Sequence, residues 1–260
     1  MGILNTTPDS FSDGGQFLSP AIAIKHALDM IWDGADIIDV GGESTRPGAQ
    51  PVSVAEELDR VIPVIEAIRK QSDIAISIDT VKPEIMRAAV NAGADLINDV
   101  NALQADGALQ TCAELGAMVC LMHMQGEPRT MQNSPYYENV VEDINVFLAE
   151  RIAACHQAGI SHDQIIIDPG FGFGKTLEHN LSLLKHLDMF QALRLPILVG
   201  LSRKSMIGKI LDTDKVDNRL YGSLAGVVLA HTKGARIFRV HDVKPTVDAL
   251  KVCQAMSAAP

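Results

Sequence analysis

Carboxylates, amides and cations recur in this sequence at one kind of place, the carboxyl side of a short apolar run. Asn5 follows the run 2–4, Glu43, Thr45 and Arg46 follow 37–40, Asp79 follows 74–78, and Asn98 and Asp99 follow 96–97. Farther along, His123 follows 119–122, Asp168 follows 165–167, Ser202, Arg203 and Lys204 follow 196–199, and Arg239 and His241 follow 237–238. Asp79, Asn98 and Asp168 are oxygen acceptors and admit two chemistries. Such oxygens suit a hard divalent cation, and a carboxylate also accepts parallel N–H bonds from an aminopyrimidine edge much as it does from arginine. Their scatter over separate runs, with no histidine companion, favours the heterocycle. Asp99 reads best as a strand-end cap. Arg46, Arg239 and His241 form a cationic set, and bidentate arginine is suited to phosphate, so jointly they predict an anion site in a chain of formal charge −10.

Lys204 admits a Schiff base if its amine is desolvated. Arg203 beside it and the carboxylates Asp79 and Asp168 favour instead a charged amine that donates hydrogen bonds. His123, between two methionines, reads as a satisfied polar residue, and His26, His156, His162, His179, His186 and His231 as exposed helix or loop residues.

The elements that must position these groups follow from the same pattern. Eight apolar runs with their chemistry at one end predict an α/β fold, a single (β/α)8 barrel of parallel strands whose site lies on the C-terminal face. The 260 residues fit one such domain, spanning 1–260. Gly34-Ala35, Gly93-Ala94, Gly116-Ala117 and Gly234-Ala235 each precede a strand, as expected where glycine closes the helix before it. Residues 53–56 read as a capping box, and Ser19 before Pro20 as another helix start. Further helices are expected over 83–92, 107–115, 138–157, 176–187, 218–232 and 243–256. Two long connections, 6–19 and 41–53, both open at the predicted face and read as binding loops.

A 47% hydrophobic content with 21% charged residues supplies both an inner barrel and an outer helical layer, and excludes disorder. The acidic balance argues against nucleic acid and anionic membranes as partners. Cys112, Cys120, Cys155 and Cys253 lack metal-ligand spacing or disulfide density, which points to a reduced, cytoplasmic setting. No apolar run has the length of a membrane span, and no secretory signal is present. The opening residues fit a myristoylation pattern, but they are needed as the first strand. Two catalytic motifs are near misses. The stretch 170–176 lacks P-loop spacing because Pro169 stands where a glycine is required, and 200–204 lacks the second glycine of a nucleophile elbow because Lys204 replaces it. Phe173, in the glycine-rich stretch, reads as a lid or stacking residue.

The longer motifs carry a family likeness. GILNTTPDSFSDGG at 2–15 and DVGGESTRPG at 39–48 resemble the two signature loops of dihydropteroate synthases. Further matches are SIDT at 77–80, INDV at 97–100, LMHMQG at 121–126, DPGFGFGK at 168–175, SRKSMIG at 202–208 and RVHD at 239–242. Members usually carry a stretch before the first strand, whereas this sequence begins on it. The resemblance implies condensation of 6-hydroxymethyl-7,8-dihydropterin diphosphate with 4-aminobenzoate, giving 7,8-dihydropteroate and diphosphate, with Mg2+. It assigns the pterin to Asp79, Asn98, Met122, Asp168 and Lys204, and the diphosphate to Asn5, Arg46, Arg239 and His241, with Asn5 also on the metal. The aminobenzoate falls to Phe11, Thr45, Pro47, Phe173, Lys204 and Ser205. Asp79, Asp168, Lys204, Arg239 and His241 are the residues expected to act in the reaction. A pterin-dependent methyltransferase shares the acceptor set but has no need of the cationic corner. A pterin-binding barrel without catalysis would be expected to lack one of Asn5, Arg46, Asp168, Lys204 or Arg239, and all are present. The segment 218–232 carries more apolar residues than one buried stripe requires, which suggests a homodimer contact.

Overall fold

Strands and helices alternate along the chain in the computed structural model, which describes residues 1–6, 20–44, 49–128 and 130–259. The order is β1 (Gly2–Asn5), α1 (Pro20–Trp32), β2 (Ile37–Gly41), α2 (Val54–Arg69), β3 (Ala75–Asp79), α3 (Pro83–Ala92), β4 (Leu96–Asp99), α4 (Ala108–Leu115) and β5 (Met118–Met122). It continues with α5 (Val140–Ala158), β6 (Ile165–Asp168), α6 (Leu177–Lys185), β7 (Leu198–Val199), α7 (Ser205–Ile210), α8 (Leu220–Thr232), β8 (Ile237–Phe238) and α9 (Val243–Ser257).

Strands β1 to β6 form one parallel ladder, and β7 and β8 pair as a second. Two seams join them into a ring. Ile167 bridges Ile197, its N–H donating to the Pro196 carbonyl at 3.0 Å. Gly2 bridges Val240, where the Ile3 N–H donates to Val240 O at 3.0 Å. The eight strands therefore close the (β/α)8 barrel, and no sheet edge stays open among the described residues.

Side chains alternate across a strand, so each strand feeds two cores. Leu4, Ile38, Val40, Ile76, Ile78, Ile97, Val119, Leu121, Ile165 and Ile167 pack outward against the helices. Leu96, Cys120, Ile166 and Leu198 pack inside the ring with Ile237 against them, plugging the barrel interior. Each fully buried isoleucine is worth about 1.5–3 kcal/mol, and Ile38, Ile76, Ile78 and Ile97 have no exposed area.

Gly93 closes α3 in the left-handed region, as expected. At α2 only half of the expected capping box forms. The Ser53 side chain accepts from Glu56 N at 3.3 Å, while the Glu56 carboxylate pairs with Arg60 one turn later. Residues 216–219 form a 3-10 turn before α8 rather than its first turn, and the short α7 was not anticipated. The start expected at Ser19 lies outside the described residues.

Candidate active site

Outward packing of Ile38, Val40, Ile76, Ile78, Ile97, Val119, Leu121, Ile165 and Ile167 turns Asp39, Asp79, Asn98, Met122 and Asp168 inward. The register sets Gly41 beside Asp79, Asp79 beside Asn98, and Met122 beside Asp168, all at the carboxyl ends of their strands. Asn5 stands in register with Gly41, and a side chain at Gly41 would place its Cβ 3.7 Å from Asn5 Oδ1 and 3.8 Å from Asp79 Oδ2. Glycine thus leaves the space between these two oxygens open.

Arg239 enters this ring of acceptors from the other half of the barrel. Its Nε donates to Asp39 Oδ2 at 2.6 Å and its Nη2 to Asp79 Oδ2 at 2.7 Å. Burial alone would lower its pKa, but the two carboxylates outweigh that and hold it above the ordinary value, so it stays charged. Burial pushes Asp79 up to about 7, with Arg239 opposing and Asp39 adding to the rise. Asp168 is raised by burial against the pull of Lys204, and accepts from Gly170 N at 2.7 Å. Burial brings Lys204 down to about 8, with Asp168 opposing. The Lys204 amine donates to the Phe171 carbonyl and stands 4.3 Å from the centre of the Phe173 ring. Arg203 does not join it. Its backbone is left-handed at φ 57°, and its guanidinium pairs with Asp242 at 2.6 and 2.9 Å.

His241 lies at the same face, with Nδ1 3.0 Å from Ser202 Oγ and its N–H donating to that oxygen at 3.1 Å. Ser205 is exposed on the first residue of α7. Phe11, Thr45, Arg46 and Pro47 lie outside the described residues. Asp99 faces away from this ring and caps the following turn, accepting from Asn101 N at 2.7 Å and Leu103 N at 2.8 Å.

The glycines of the segment after β6 fit it against the loop that follows β5. A Cβ on Gly170, at φ +72°, would stand 1.9 Å from His123 O, and one on Gly174 would stand 2.4 Å from Gln125 O. Tyr137 Oη donates to Gly174 O at 2.8 Å, and Lys175 Nζ reaches Phe173 O at 2.9 Å and His123 Nδ1 at 3.0 Å. His123 is held neutral, down at about 3, by burial and then by Lys175. It is the satisfied polar residue expected. His26, His179 and His231, expected to be exposed, are half-buried, and His179 caps α6, accepting from Thr176 N at 3.2 Å.

Asp39 and Lys175 escaped sequence reasoning. Asp39 sits inside the apolar run 37–40, and a lone acid in such a run was the available signal. The cluster of Glu57, Lys82 and Glu43 was missed as well. Fully buried Glu57 accepts from Thr80 Oγ1 at 2.7 Å and from Lys82, which also reaches Glu43 at 2.5 Å and Val52 O at 2.7 Å. This ties both stems of the loop that carries Thr45 and Arg46. Among the described residues no helix is long and apolar enough to cross a membrane, and no group of His, Cys, Asp or Glu side chains is arranged to hold a metal by itself.

The sequence signature of the pterin binding enzymes matches residues 1–241. Dihydropteroate synthase of Escherichia coli strain K12 is 56% identical over 259 residues, covering 100% of this chain and 92% of that protein. Dihydropteroate synthase of Xanthomonas albilineans with 4-aminobenzoic acid superposes with a TM-score of 0.95 at 51% identity, covering 100% of this chain and 93% of that one. The same enzyme in complex with 7,8-dihydropteroate gives 0.91 at 48% identity with the same coverage. A closed barrel whose inner acceptors meet a lysine and an arginine at its C-terminal mouth, together with this full-length likeness, shows that the chain belongs to the dihydropteroate synthase family of transferases.

Proposed function

We propose that the chain condenses 6-hydroxymethyl-7,8-dihydropterin diphosphate with 4-aminobenzoate, and that the residues described above divide the work as follows. The observation that carries this reading is the convergence of Asp79, Asn98, Asp168, Lys204 and Arg239 on one barrel mouth. Asp168 and Asn98 accept from the 2-amino and ring N–H groups, Asp79 from the other ring nitrogens, and Lys204 donates on the carbonyl side. Met122, buried beside Asp168, packs beneath the ring. Arg46, Arg239 and His241 hold the diphosphate. The aminobenzoate is received by Phe11, Thr45, Pro47, Phe173, Lys204 and Ser205.

In the reaction, the bond between the pterin methylene carbon and the bridging oxygen breaks, and its electron pair leaves on diphosphate. Positive side chains stabilise that charge as it develops. The electron-rich ring spreads the positive charge left on carbon, and Asp79 and Asp168 offset it. The arylamine nitrogen then forms the new C–N bond and releases its proton. Holding amine and cation together is worth up to roughly 7–11 kcal/mol.

Mg2+ fits this mouth, because it takes few protein oxygens and completes its shell with phosphate oxygens and water. Asn5 offers an amide oxygen there, with the open space over Gly41 beside it. When bound, the ion supplies Lewis-acid stabilisation to the leaving diphosphate. Incubating purified protein with both substrates and Mg2+ is expected to yield dihydropteroate. Absence of product with both substrates present would overturn the reading, and omission of the metal tests the ion separately.

The reading extends to assembly and location. Tyr221 and Leu229 on α8 and Val252 and Met256 on α9 are exposed at 81%, 54%, 70% and 65%, which supports a homodimer through this face. A monomer by light scattering at micromolar concentration would refute it. Free thiols at all four cysteines support a reducing, cytoplasmic setting.

A further inference from the structure

We propose that Asp39 is a positioning residue that sets which atom Asn98 presents to the pterin and which atom Arg239 presents to the diphosphate, an inference that rests on the function proposed above. Asp39 has no exposed area and stands in register with Ser77, one inward-facing position below Gly41 and Asp79. It therefore lies beneath the layer assigned to the ring. A carboxylate in such a place is costly unless it is paired and hydrogen-bonded. Both conditions are met by groups of the proposed site. Arg239 Nε donates to it at 2.6 Å, and Asn98 Nδ2 lies 3.5 Å from each of its oxygens.

The consequence for Asn98 is directional. A carboxamide has a donor end and an acceptor end of almost the same shape, and its neighbours decide which way it points. Turned over, Asn98 would set its amide oxygen against a buried carboxylate, two acceptors with no proton between them. Asp39 thus holds the nitrogen downward and leaves Oδ1 for the pocket. With Asp79 and Asp168, the pocket then offers three acceptors against the single amine of Lys204, a pattern that selects a ring edge rich in N–H groups.

Arg239 is oriented by the same carboxylate. With Nε on Asp39 and Nη2 on Asp79, Nη1 is the guanidinium nitrogen to which no described residue bonds. One buried acid therefore coordinates the acceptor that reads the ring with the cation assigned to the diphosphate.

The test compares binding of 6-hydroxymethylpterin with that of its analogue carrying hydrogen in place of the 2-amino group, by calorimetry, in the unsubstituted enzyme and in Asp39→Asn. The unsubstituted enzyme is expected to prefer the amino compound by tenfold or more, because a site built for N–H donors rejects a ligand that lacks one. In Asp39→Asn, where the Asn98 amide is free to turn, that preference is expected to shrink to within about threefold. The KM for the pterin diphosphate rises about tenfold in parallel. Asp39→Asn in an Asn98→Ala background is expected to alter discrimination no further. A purely structural role for Asp39 would weaken both ring compounds equally, and unchanged discrimination with KM within twofold would overturn the inference while leaving the condensation reading intact. Failure of the unsubstituted enzyme to bind the pterin would instead defeat that reading.

A measurement on the unsubstituted enzyme covers the case in which Asp39→Asn does not fold. Side-chain amide protons of Asn98 that face Asp39 exchange slowly with water both before and after 6-hydroxymethylpterin binds. Fast exchange in the free enzyme that becomes slow only with the ring bound would overturn the assignment.

Discussion

Strands β1 to β6 and the pair β7–β8 build the barrel differently and supply opposite chemistry to its mouth. The first six form one ladder of four- and five-residue strands, and Asp39, Asp79, Asn98 and Asp168 are members of those strands. The last two are only two residues long, each joined to the larger sheet by a single bridge, and Lys204, Arg239 and His241 come from beyond their ends. Acceptors are thus placed by backbone hydrogen bonds, which hold whatever the side chain is. The basic side chains are placed by partners: Arg239 by Asp39 and Asp79, Lys204 by Phe171 O, and His241 by Ser202. Substitutions in the acceptor half are therefore expected to change recognition and spare the fold, whereas those in the cation half strand a buried partner.

The sharpest test is Arg239→Ala. It is expected to lower kcat/KM by about a thousandfold through lost stabilisation of the leaving group. It also leaves Asp39 and Asp79 unpaired, at a cost of about 3–5 kcal/mol by urea unfolding. Asp168→Asn keeps the oxygen that receives Gly170 N–H. A loss of about a hundredfold in turnover with a near-normal urea midpoint is expected, and the comparison fails if stability falls as far as in Arg239→Ala. Gly170→Ala attacks the packing of the segment after β6 on the loop after β5, within the larger ladder. Its Cβ would collide with His123 O, so a loss of at least about 2 kcal/mol is expected, read from the urea midpoint at unchanged slope.

Protons sharpen the contrast. Asp79 at about 7 gains its charge as pH rises, and Lys204 at about 8 loses its charge as pH rises further. The profile of kcat/KM for the pterin diphosphate is then a narrow bell between those limbs, and Asp79→Asn removes the acid limb. For stability the sign is opposite in the acid range. The raised Asp79 carboxyl binds its proton more tightly in the folded chain, so its contribution is fully present below the ordinary 3.8 and is lost as pH climbs through about 7. Lys204 is lowered from 10.5, so its contribution is present above that value and is lost as pH falls through about 8. Urea titrations of the unsubstituted enzyme and Asp79→Asn across pH 4–8 check the acid-range sign. The smallest effect is expected from Ser202→Ala. Removing the two hydrogen bonds between Ser202 Oγ and His241 costs about 1–2 kcal/mol and raises the KM for the pterin diphosphate severalfold.

Much of this was legible before the fold was known, because strand-end polarity is a local pattern. Asp79, Asn98 and Asp168 could be read as one set from the runs they terminate. Asp39 could not, since acids within apolar runs carry no sign of which partner makes them tolerable. Arg203 and Lys204 are chain neighbours, yet the left-handed backbone at Arg203 sends its guanidinium to Asp242 and away from the Lys204 amine. The glycines after β6 show in the sequence, whereas the carbonyls of His123 and Gln125 that they lie against show only in the fold.

Residue spacing alone carries the alternation that gives each strand an apolar outer face, the eightfold repeat of strand and helix, and the end of the barrel where polar groups collect. Those are consequences of spacing, which a chain carries whether folded or not. It takes the folded barrel to bring Arg239 to acids 200 and 160 residues away, to lay Lys175 against His123, and to close the ring by single bridges. Such pairings depend on which strand becomes whose neighbour when the barrel closes, and no local propensity encodes that.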